Sequence, residues 1–360
     1  MRLDGKRRAL AYEAALILRA AGWGFKRVAR ALRELGFDVS PWTVRGWLLG
    51  GRAPRARPSP LLRALYYHRA YELAMELKGR HPDWGYKRIA TEMGRVLGVR
   101  VPYATVYSWL KGRSKPNIAP IRLAPELGYA VGALMTDCAR GADFVKLKVR
   151  DRDFAEQFAK ALAEVTGREY DVDEDEDGYY AVKVRGSALR YIVRSGLWKA
   201  VALAWPREFL QGLFDGDGGV GVCVSRRPVR LIVMVSLDNS DLELLGFARR
   251  LLEEFGIRCS WPPQRKHRKG EVCVIRGRRY RRRRDCWGLW IRRREGVERF
   301  AALVNFRVER KRGKLEDALE ISRRYKSNRD RVREWLRRYE KRNGRWVPRN
   351  PRPPPPGSGA

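Results

Sequence analysis

The sequence is poor in the residues that build metal-binding fingers. Its 360 residues include five cysteines and three histidines. The cysteines form no CxxC pair, and His68, His81 and His267 do not have the spacing of metal ligands. This shortage argues against a zinc site and indicates reduced thiols in a cytoplasmic protein.

Long apolar runs are also missing. No stretch reaches the roughly 18 to 20 apolar residues that a membrane-spanning helix needs. Residues 1–23 carry charges throughout and contain no small-residue cleavage site, so we expect that they are not a signal peptide. We therefore expect no membrane partner.

Acidic residues are few relative to basic ones. Lys and Arg total 77 against 41 Asp and Glu, a formal charge of +36. A hydrophobic content of 44% supports real cores, and the length leaves room for two or three domains. A folded protein of this charge is expected to bind a polyanion, most commonly nucleic acid.

An internal repeat occupies the first third of the chain. Residues 22–54 match residues 83–116 with one inserted residue, and each copy predicts a helix, a glycine and a short second helix. The repeat resembles the helix-turn-helix unit of resolvases and transposases, which implies that the second helix enters the major groove. The candidate DNA-facing residues are then Ser40, Trp42, Thr43, Arg45, Tyr103, Thr105, Tyr107 and Lys111. A helical pair that serves packing alone is the alternative.

Two basic, proline-punctuated segments, 51–60 and 112–120, follow the two copies of the repeat. Segments of this composition are typical of linkers. We therefore expect the two modules to move relative to each other and to the rest of the chain.

A second repeat begins with two similar apolar helices. Residues 206–219, PREFLQGLFDGDGG, start with proline and end in two acids and two glycines. Residues 125–141, PELGYAVGALMTDCARG, follow the same plan. Alignment of Gly132 with Gly212, two glycines that would allow close backbone approach, places Asp137 on Asp217. A helix cap with solvated acids is the alternative interpretation.

The segments after these two helices repeat as well. Each helix is followed by two strand-like segments, an amphipathic helix, two more strand-like segments and a closing helix. The pattern predicts an α+β fold made of two αββαββα halves, preceded by two small all-α modules. The predicted domains are a helix-turn-helix module at 1–54, a second at 61–116, one half at 121–200, the other at 201–320, and a basic helix with a disordered Pro-rich tail at 321–360.

These features resemble the LAGLIDADG homing endonucleases over roughly residues 125–320. The DGDGG ending at 215–219 and the segment VNFRVERKRGKL at 304–315 carry much of the likeness. The resemblance implies motif helices that pack together through Gly132 and Gly212, antiparallel sheets that form a saddle over double-stranded DNA, and a monomer in which both halves share one chain.

The resemblance also implies a reaction. Asp137 and Asp217 would hold Mg²⁺ or Mn²⁺ for phosphodiester hydrolysis, while Asp215 would cap or orient the motif. Lys183 and Arg292 would be the basic catalytic residues, and Arg292 could act only electrostatically because arginine stays protonated. The first motif departs from the pattern through Met135 and Cys138, which leaves nicking open.

DNA contacts are expected along the strands. Residues 261–294 hold fourteen Lys or Arg and two acids, interleaved with Val, Ile and Trp. The predicted DNA-binding residues of the halves are Lys146, Lys148, Arg230, Arg276, Arg278, Arg279 and Arg281. The acidic run DVDEDED at 171–177 is predicted to be an exposed hairpin loop that faces away from the phosphates.

The sequence thus predicts a site-specific DNA endonuclease that cuts a long target and supports intron homing. Two other functions stay open at this point. An intron RNA maturase on the same scaffold would use the same basic saddle, with intron RNA as its partner. A non-cleaving or nicking DNA-binding protein would explain the altered first motif.

Overall fold

In a computed structural model, the chain forms an α+β fold with antiparallel sheets, which confirms the predicted fold class. The structure describes residues 4–49, 54, 57–136, 138–141, 144–185, 187–275, 278–342 and 344–350. The predicted residues Asp137 and Arg276, the side chain of Arg278 and the predicted tail after residue 350 lie outside this description. Two compact units divide the chain, residues 1–216 and 217–360.

The first unit begins with two modules of three helices each. Asp4 accepts a hydrogen bond from the backbone N–H of Arg7 at 2.8 Å, and Ser59 accepts one from Leu62 at 3.1 Å, so each first helix starts at a side-chain cap. The helices are α1 (Gly5–Ala20), α2 (Phe25–Glu34), α3 (Pro41–Leu49), α4 (Pro60–Arg80), α5 (Tyr86–Leu97) and α6 (Tyr103–Leu110).

The rest of the first unit contains the first half of the second repeat and the helix that opens the next. Its elements are α7 (Pro125–Leu134), β1 (Cys138–Arg140), β2 (Phe144–Val149), α8 (Arg152–Thr166), β3 (Asp173–Glu174), β4 (Tyr180–Arg185), α9 (Ser187–Arg194), α10 (Trp198–Ala204) and α11 (Pro206–Asp217). The strands form one antiparallel sheet in the order β1-β2-β4-β3. Period-two alternation turns Val145 and Leu147 into the core and leaves Lys146 opposite Lys183 on the other face.

The two modules are docked on this half in the structure, whereas the linker composition predicted modules that move independently. Helix α1 packs against α10, and α4 packs against α9. The ring Nε2 of His68 lies 2.7 Å from the carbonyl oxygen of Ile118, and the N–H of Ile121 donates to Ala64 at 3.2 Å. The linker composition could not reveal this docking, because it depends on the apolar faces of α1 and α4.

The second unit repeats the sheet of the first. Its elements are β5 (Gly218–Arg226), β6 (Val229–Asn239), α12 (Leu242–Glu254), β7 (Gln264–His267), β8 (Val272–Ile275), β9 (Arg278–Arg281), β10 (Cys286–Ile291), α13 (Arg294–Leu303), α14 (Glu309–Arg324), α15 (Asn328–Arg338), β11 (Tyr339–Arg342) and β12 (Arg345–Pro348). The main sheet has the order β5-β6-β10-β7, while β8 and β9 form a separate hairpin.

Residues 309–342 and 344–348 form a folded layer, the C-terminal layer, which the prediction of a single basic helix missed. The ring of Trp335 stacks on Tyr339 at 4.0 Å and meets Trp346 edge-on at 5.8 Å. This cluster packs on Val222 and Leu231, and the indole N–H of Trp346 donates to the carbonyl of Val222 at 2.8 Å. The layer therefore covers one face of β5 and β6.

No helix in the described ranges is long and apolar enough to cross a lipid bilayer.

A buried carboxylate lies where the two modules meet the first half. Glu13 of α1 is 1% exposed, and neither of its carboxylate oxygens makes a hydrogen bond of good geometry within the described chain. Burial raises the pKa of Glu13 to about 7, and the nearby hydroxyls of Ser59 and Tyr191 offset this only in part. Folding therefore favours the protonated form.

This pKa gives a pH-dependent stability. The pKa of Glu13 in the folded protein lies above the ordinary value of 4.5. The contribution of protonated Glu13 to the free energy of unfolding is therefore complete at low pH and is lost as pH rises from about 4.5 to about 7. We expect the loss to be about 3 kcal/mol, because folding raises the pKa of Glu13 from 4.5 to about 7. Urea unfolding at pH 5 and pH 8 checks this, because Glu13→Gln should lack this part of the pH dependence. Equal pH dependence in both proteins would refute it.

Candidate active site

The two motif helices, α7 and α11, pack backbone against backbone in the first unit. A Cβ atom at Gly132 would overlap the carbonyl oxygen of Phe209, and one at Gly212 would overlap that of Tyr129. Both obstacles are backbone atoms, which cannot rotate away. Glycine is therefore required at both positions, and the contact brings the C-terminal ends of the two helices to the same edge of the unit.

Asp215, two residues before the end of α11, has a structural partner. Its side chain is 2% exposed, and its Oδ2 accepts a hydrogen bond from the hydroxyl of Tyr129 at 2.8 Å. A carboxylate enclosed in this way is held as part of the helix packing. Met135 is the residue aligned with Asp215 in the first motif, so this hydrogen bond occurs once per pair of helices.

Asp217 has different surroundings. It is half-buried at the C-terminal end of α11, and its Oδ2 accepts a hydrogen bond from the side-chain amide of Asn239 at 2.6 Å. The helix dipole disfavours a negative charge at this end, and a bound cation would offset that penalty. Carboxylate and backbone carbonyl oxygens are the ligands that Mg²⁺ and Mn²⁺ prefer, so Asp217 fits a divalent ion.

A buried lysine reaches the same turn from α14. Lys311 is 9% exposed, and its ammonium donates to the carbonyl oxygen of Gly218 at 2.7 Å. It belongs to the KRGKL segment, for which the sequence suggested a family likeness but no role. This contact links α14 to the residue that follows Asp217 and holds the start of β5 in place.

Asp238 is a further acid that sequence reasoning missed. It stands on β6, one residue beyond the pairing of Leu237 with Gly218, and its Oδ2 pairs with Lys266 at 2.5 Å. Burial first, and then the negative charge of Asp238, raises the pKa of the Cys286 thiol, with a smaller contribution from Asp217. The two carboxylates therefore lie near the same thiol. The described residues hold no group of three or more His, Cys, Asp or Glu side chains arranged for a metal.

The two predicted basic catalytic residues lie on or directly after corresponding strands. Lys183 lies on β4, exposed, with its ammonium 4.6 Å from the ring centre of Phe144. Arg292 follows β10, and its guanidinium donates to the side-chain oxygen of Gln264 at 2.8 Å. Lys183 belongs to the first unit and Arg292 to the second, and both present an exposed positive charge.

The candidate DNA-binding lysines of the first sheet meet an acidic partner. Lys146 and Lys148 share the exposed face with Lys183, and Lys148 pairs with Asp175 at 2.5 Å. The acidic loop is exposed, but Asp175 contacts this face instead of pointing away, which corrects the expectation. An exposed pair contributes little stability, so a phosphate could displace the carboxylate at low cost.

The second unit carries its predicted basic residues on two elements. Arg230 lies exposed on β6 opposite Ser225. Arg279 and Arg281 lie on the β8–β9 hairpin, where Arg279 pairs across the ladder with Val274, which is 65% exposed. Charged and apolar side chains therefore share one face of a two-stranded ribbon, and such a ribbon fits the major groove of B-DNA.

The predicted DNA-facing helices are the third helix of each module, α3 and α6, and they carry exposed or half-exposed candidates. Trp42 is 71% exposed, lies 6.4 Å from Phe25 and has the guanidinium of Arg45 5.7 Å from its ring centre. Thr43 is held by Ser40, whose hydroxyl accepts from its backbone N–H at 3.1 Å. In the second module, the exposed or half-exposed candidates are Tyr103, Thr105, Tyr107 and Lys111.

Comparison with known families and proteins places these features in context. Residues 204–305 match the family model described as a LAGLIDADG-like domain. The uncharacterized protein MJ0398 of Methanocaldococcus jannaschii is 27% identical over 264 residues, which cover 69% of this chain and 93% of that protein. The uncharacterized protein MJ0314 of the same organism is 25% identical over 170 residues, 42% of this chain and 61% of that protein.

Two solved structures that match this chain have lower sequence identity to it than these two proteins. A mesophilic variant of the homing endonuclease I-DmoI is 14% identical with a TM-score of 0.35, and the match covers 50% of this chain and 90% of that one. Full-length DUF199/WhiA from Thermatoga maritima is 13% identical with a TM-score of 0.35, covering 59% and 66%.

Proposed function

We propose that this chain, in which residues 204–305 form a LAGLIDADG-like domain, is a monomeric site-specific DNA endonuclease that uses Mg²⁺ or Mn²⁺. The observation that carries the proposal is the contrast between the two acids of α11. Asp215 is enclosed and bonded to Tyr129, whereas Asp217 is half-buried at the helix end and oriented by Asn239. We therefore assign the second acid to a metal and a phosphate.

The chemistry follows from these residues. A divalent ion at Asp217, and one at the aligned Asp137, would neutralise the charge that develops on the scissile phosphate. Asn239 orients the Asp217 carboxylate, and Lys311 fixes the adjoining backbone carbonyl. Lys183 would polarise the attacking water, and Arg292 would stabilise the charge of the transition state.

The N-terminal modules would extend the DNA site. Each presents a short helix with aromatic and basic side chains, around Trp42 and Arg45 of α3 in the first module, and around Tyr107 of α6 and the following Lys111 in the second. Because both modules are docked on the first half in the described structure, they would add contacts at fixed positions along the DNA. The net charge of +36 favours this binding mode.

A cleavage assay tests the proposal. The protein is incubated with Mg²⁺ and a plasmid that carries the uninterrupted form of the gene in which this reading frame lies, with the empty plasmid as control. Linear product from the first plasmid alone supports a double-strand endonuclease. Nicked circles indicate one working site, and DNA binding without cleavage contradicts the catalytic claim.

One observation favours a second function, a DNA-binding protein that nicks or does not cut. The first motif has Met135 where the second has Asp215, and Cys138 where the second has Gly218. A half altered in this way would still bind DNA through its sheet. Retention of an intron RNA instead of duplex DNA in the same binding assay would point to a maturase.

A further inference from the structure

A cavity of about 170 Å³ lies in the second unit beside the first part of β6. None of the residues predicted to bind DNA lines this cavity. Arg292, which was predicted to be catalytic, does line it. Its walls come from strand β6, helices α13, α14 and α15, and Arg292 directly after β10, and they combine an apolar floor with a basic rim. The floor includes Leu231, Val233 and Val297, and the rim is formed by Arg292, Arg294 and Arg331.

The rim carries positive charge that lacks full compensation. The guanidinium of Arg331 donates to the carbonyl of Tyr325 at 2.7 Å and to the side-chain oxygen of Asn328 at 3.3 Å, and both partners are neutral. Arg292 likewise donates to the neutral Gln264. Arg294 shares its charge with Glu298 at 3.1 Å, but no carboxylate lines the cavity itself.

The position of Arg331 adds to this charge. It is half-buried in the first turn of α15, where the helix dipole is positive and disfavours a cation. A bound anion would offset the repulsion of Arg331 by the positive end of the helix and by the neighbouring guanidinium groups. Arginine is the residue best suited to this, because its planar fork matches two oxygens of a phosphate.

The backbone of β6 points to the same ligand. Strand β6 pairs with β10 from Val235 to Asn239, and in the described residues no strand pairs with it on that side from Val229 to Met234. In an antiparallel strand alternate peptide groups turn to opposite sides, so some N–H groups of this stretch face away from β5. Such groups can donate to a phosphate oxygen.

We propose that this cavity binds one phosphate of the DNA backbone, and that the C-terminal layer supplies Arg331 for this contact. The proposal rests on the DNA-binding function proposed above and gives the added layer a role beyond covering the sheet. Two exposed residues, Arg292 and Ile232, also line the cavity, and Ile232 shares the exposed face of the main sheet with Arg230. A phosphate held here would anchor the duplex at the edge of that face.

The salt dependence of DNA binding tests the proposal. Each neutralised phosphate contributes about 0.9 to the slope of log affinity against log salt concentration. For the full chain with Arg331→Gln and a mixed-sequence duplex of about 40 base pairs, we expect the slope to fall by about that amount. The matched control is Arg333→Gln, which removes the same charge two residues away, where the side chain is 82% exposed and pairs with Asp330 at 3.5 Å. Its slope should remain that of the parent.

Arg331 also donates a hydrogen bond to Tyr325, so Arg331→Gln could disturb the local fold. A second variant separates such a defect from the loss of a phosphate contact. Arg294→Gln removes a charge of the rim that lies on α13, and it should lower the slope in the same direction without changing a residue of α15. Parent slopes in both variants would overturn the phosphate site while leaving DNA binding intact. If inorganic phosphate raises the Tm of the parent but both variants keep the parent slope, the cavity is a small-anion site and the assignment to DNA is overturned. A parent chain that binds no DNA would reject the proposed function itself, and this proposal with it.

Discussion

Replacement of Asp217 by Asn should abolish DNA cleavage, with a rate at least about 100-fold below that of the parent protein. The substitution keeps the shape and the hydrogen-bond acceptor for Asn239 but removes the charge that would hold a divalent ion. A 100-fold loss corresponds to about 3 kcal/mol of transition-state stabilisation, in the range that a metal ion supplies. The measurement is the single-turnover rate of plasmid cleavage in Mg²⁺, with DNA binding measured in parallel.

Asp215→Asn is the matched control for this prediction. It makes the same chemical change two residues earlier, where the amide oxygen can still accept the hydrogen bond from Tyr129. We expect this variant to cut within about tenfold of the parent rate, because a hydrogen bond between neutral groups replaces a charge-assisted one. If Asp215→Asn were inactive and Asp217→Asn active, the assignment of the two acids would be reversed.

Replacement of Gly212 by Ala should destabilise the first unit by about 3 kcal/mol or more. The added methyl group would overlap the carbonyl oxygen of Tyr129 and lie 2.7 Å from the backbone nitrogen of Ala133, so α7 and α11 must move apart. Overpacking in a well-filled core costs about 1 to 3 kcal/mol, and backbone obstacles place this site at the upper end. Calorimetry should show a lower Tm for the transition of that unit.

Gly246→Ala provides the comparison, since Gly246 also lies inside a helix, α12. A Cβ atom there would meet the ring of Trp261 at 3.4 Å, an ordinary contact. We expect this variant to gain up to about 1 kcal/mol from helix propensity. Equal stability of Gly212→Ala and the parent would show that the motif helices are not packed this closely.

Much of the fold could be predicted because it depends on local pattern. Alternation of apolar and polar residues indicated the strands of both sheets, and Pro206 and Pro125 marked the first turns of the motif helices. The repeated order of helices and strands then gave the fold class. The hairpin of β11 and β12 was missed because its charged sequence resembles a solvated helix, and its core forms only when Trp335, Tyr339 and Trp346 meet.

The candidate site was predicted in part. Spacing and resemblance singled out Asp217, Lys183 and Arg292. Asn239 and Lys311 could not be found in this way, because they lie 22 and 94 positions after Asp217, and no short motif joins them to it. The partner of Asp215 is likewise 86 positions away in Tyr129.

The pair of motif helices shows which features the sequence predicts and which depend on the tertiary structure. By itself the sequence determined that the chain contains two similar helices, each with a central glycine and an acid near its end, and that its charge suits a polyanion. Only the tertiary structure decided how the acids of the second helix differ. Close packing of α7 and α11 encloses Asp215 beside Tyr129, whereas the end of α11 leaves Asp217 half-buried between Asn239 and the turn held by Lys311. The physical reason is that burial and hydrogen bonding depend on residues far apart in the chain, and these set the role of a carboxylate more strongly than its place in a motif.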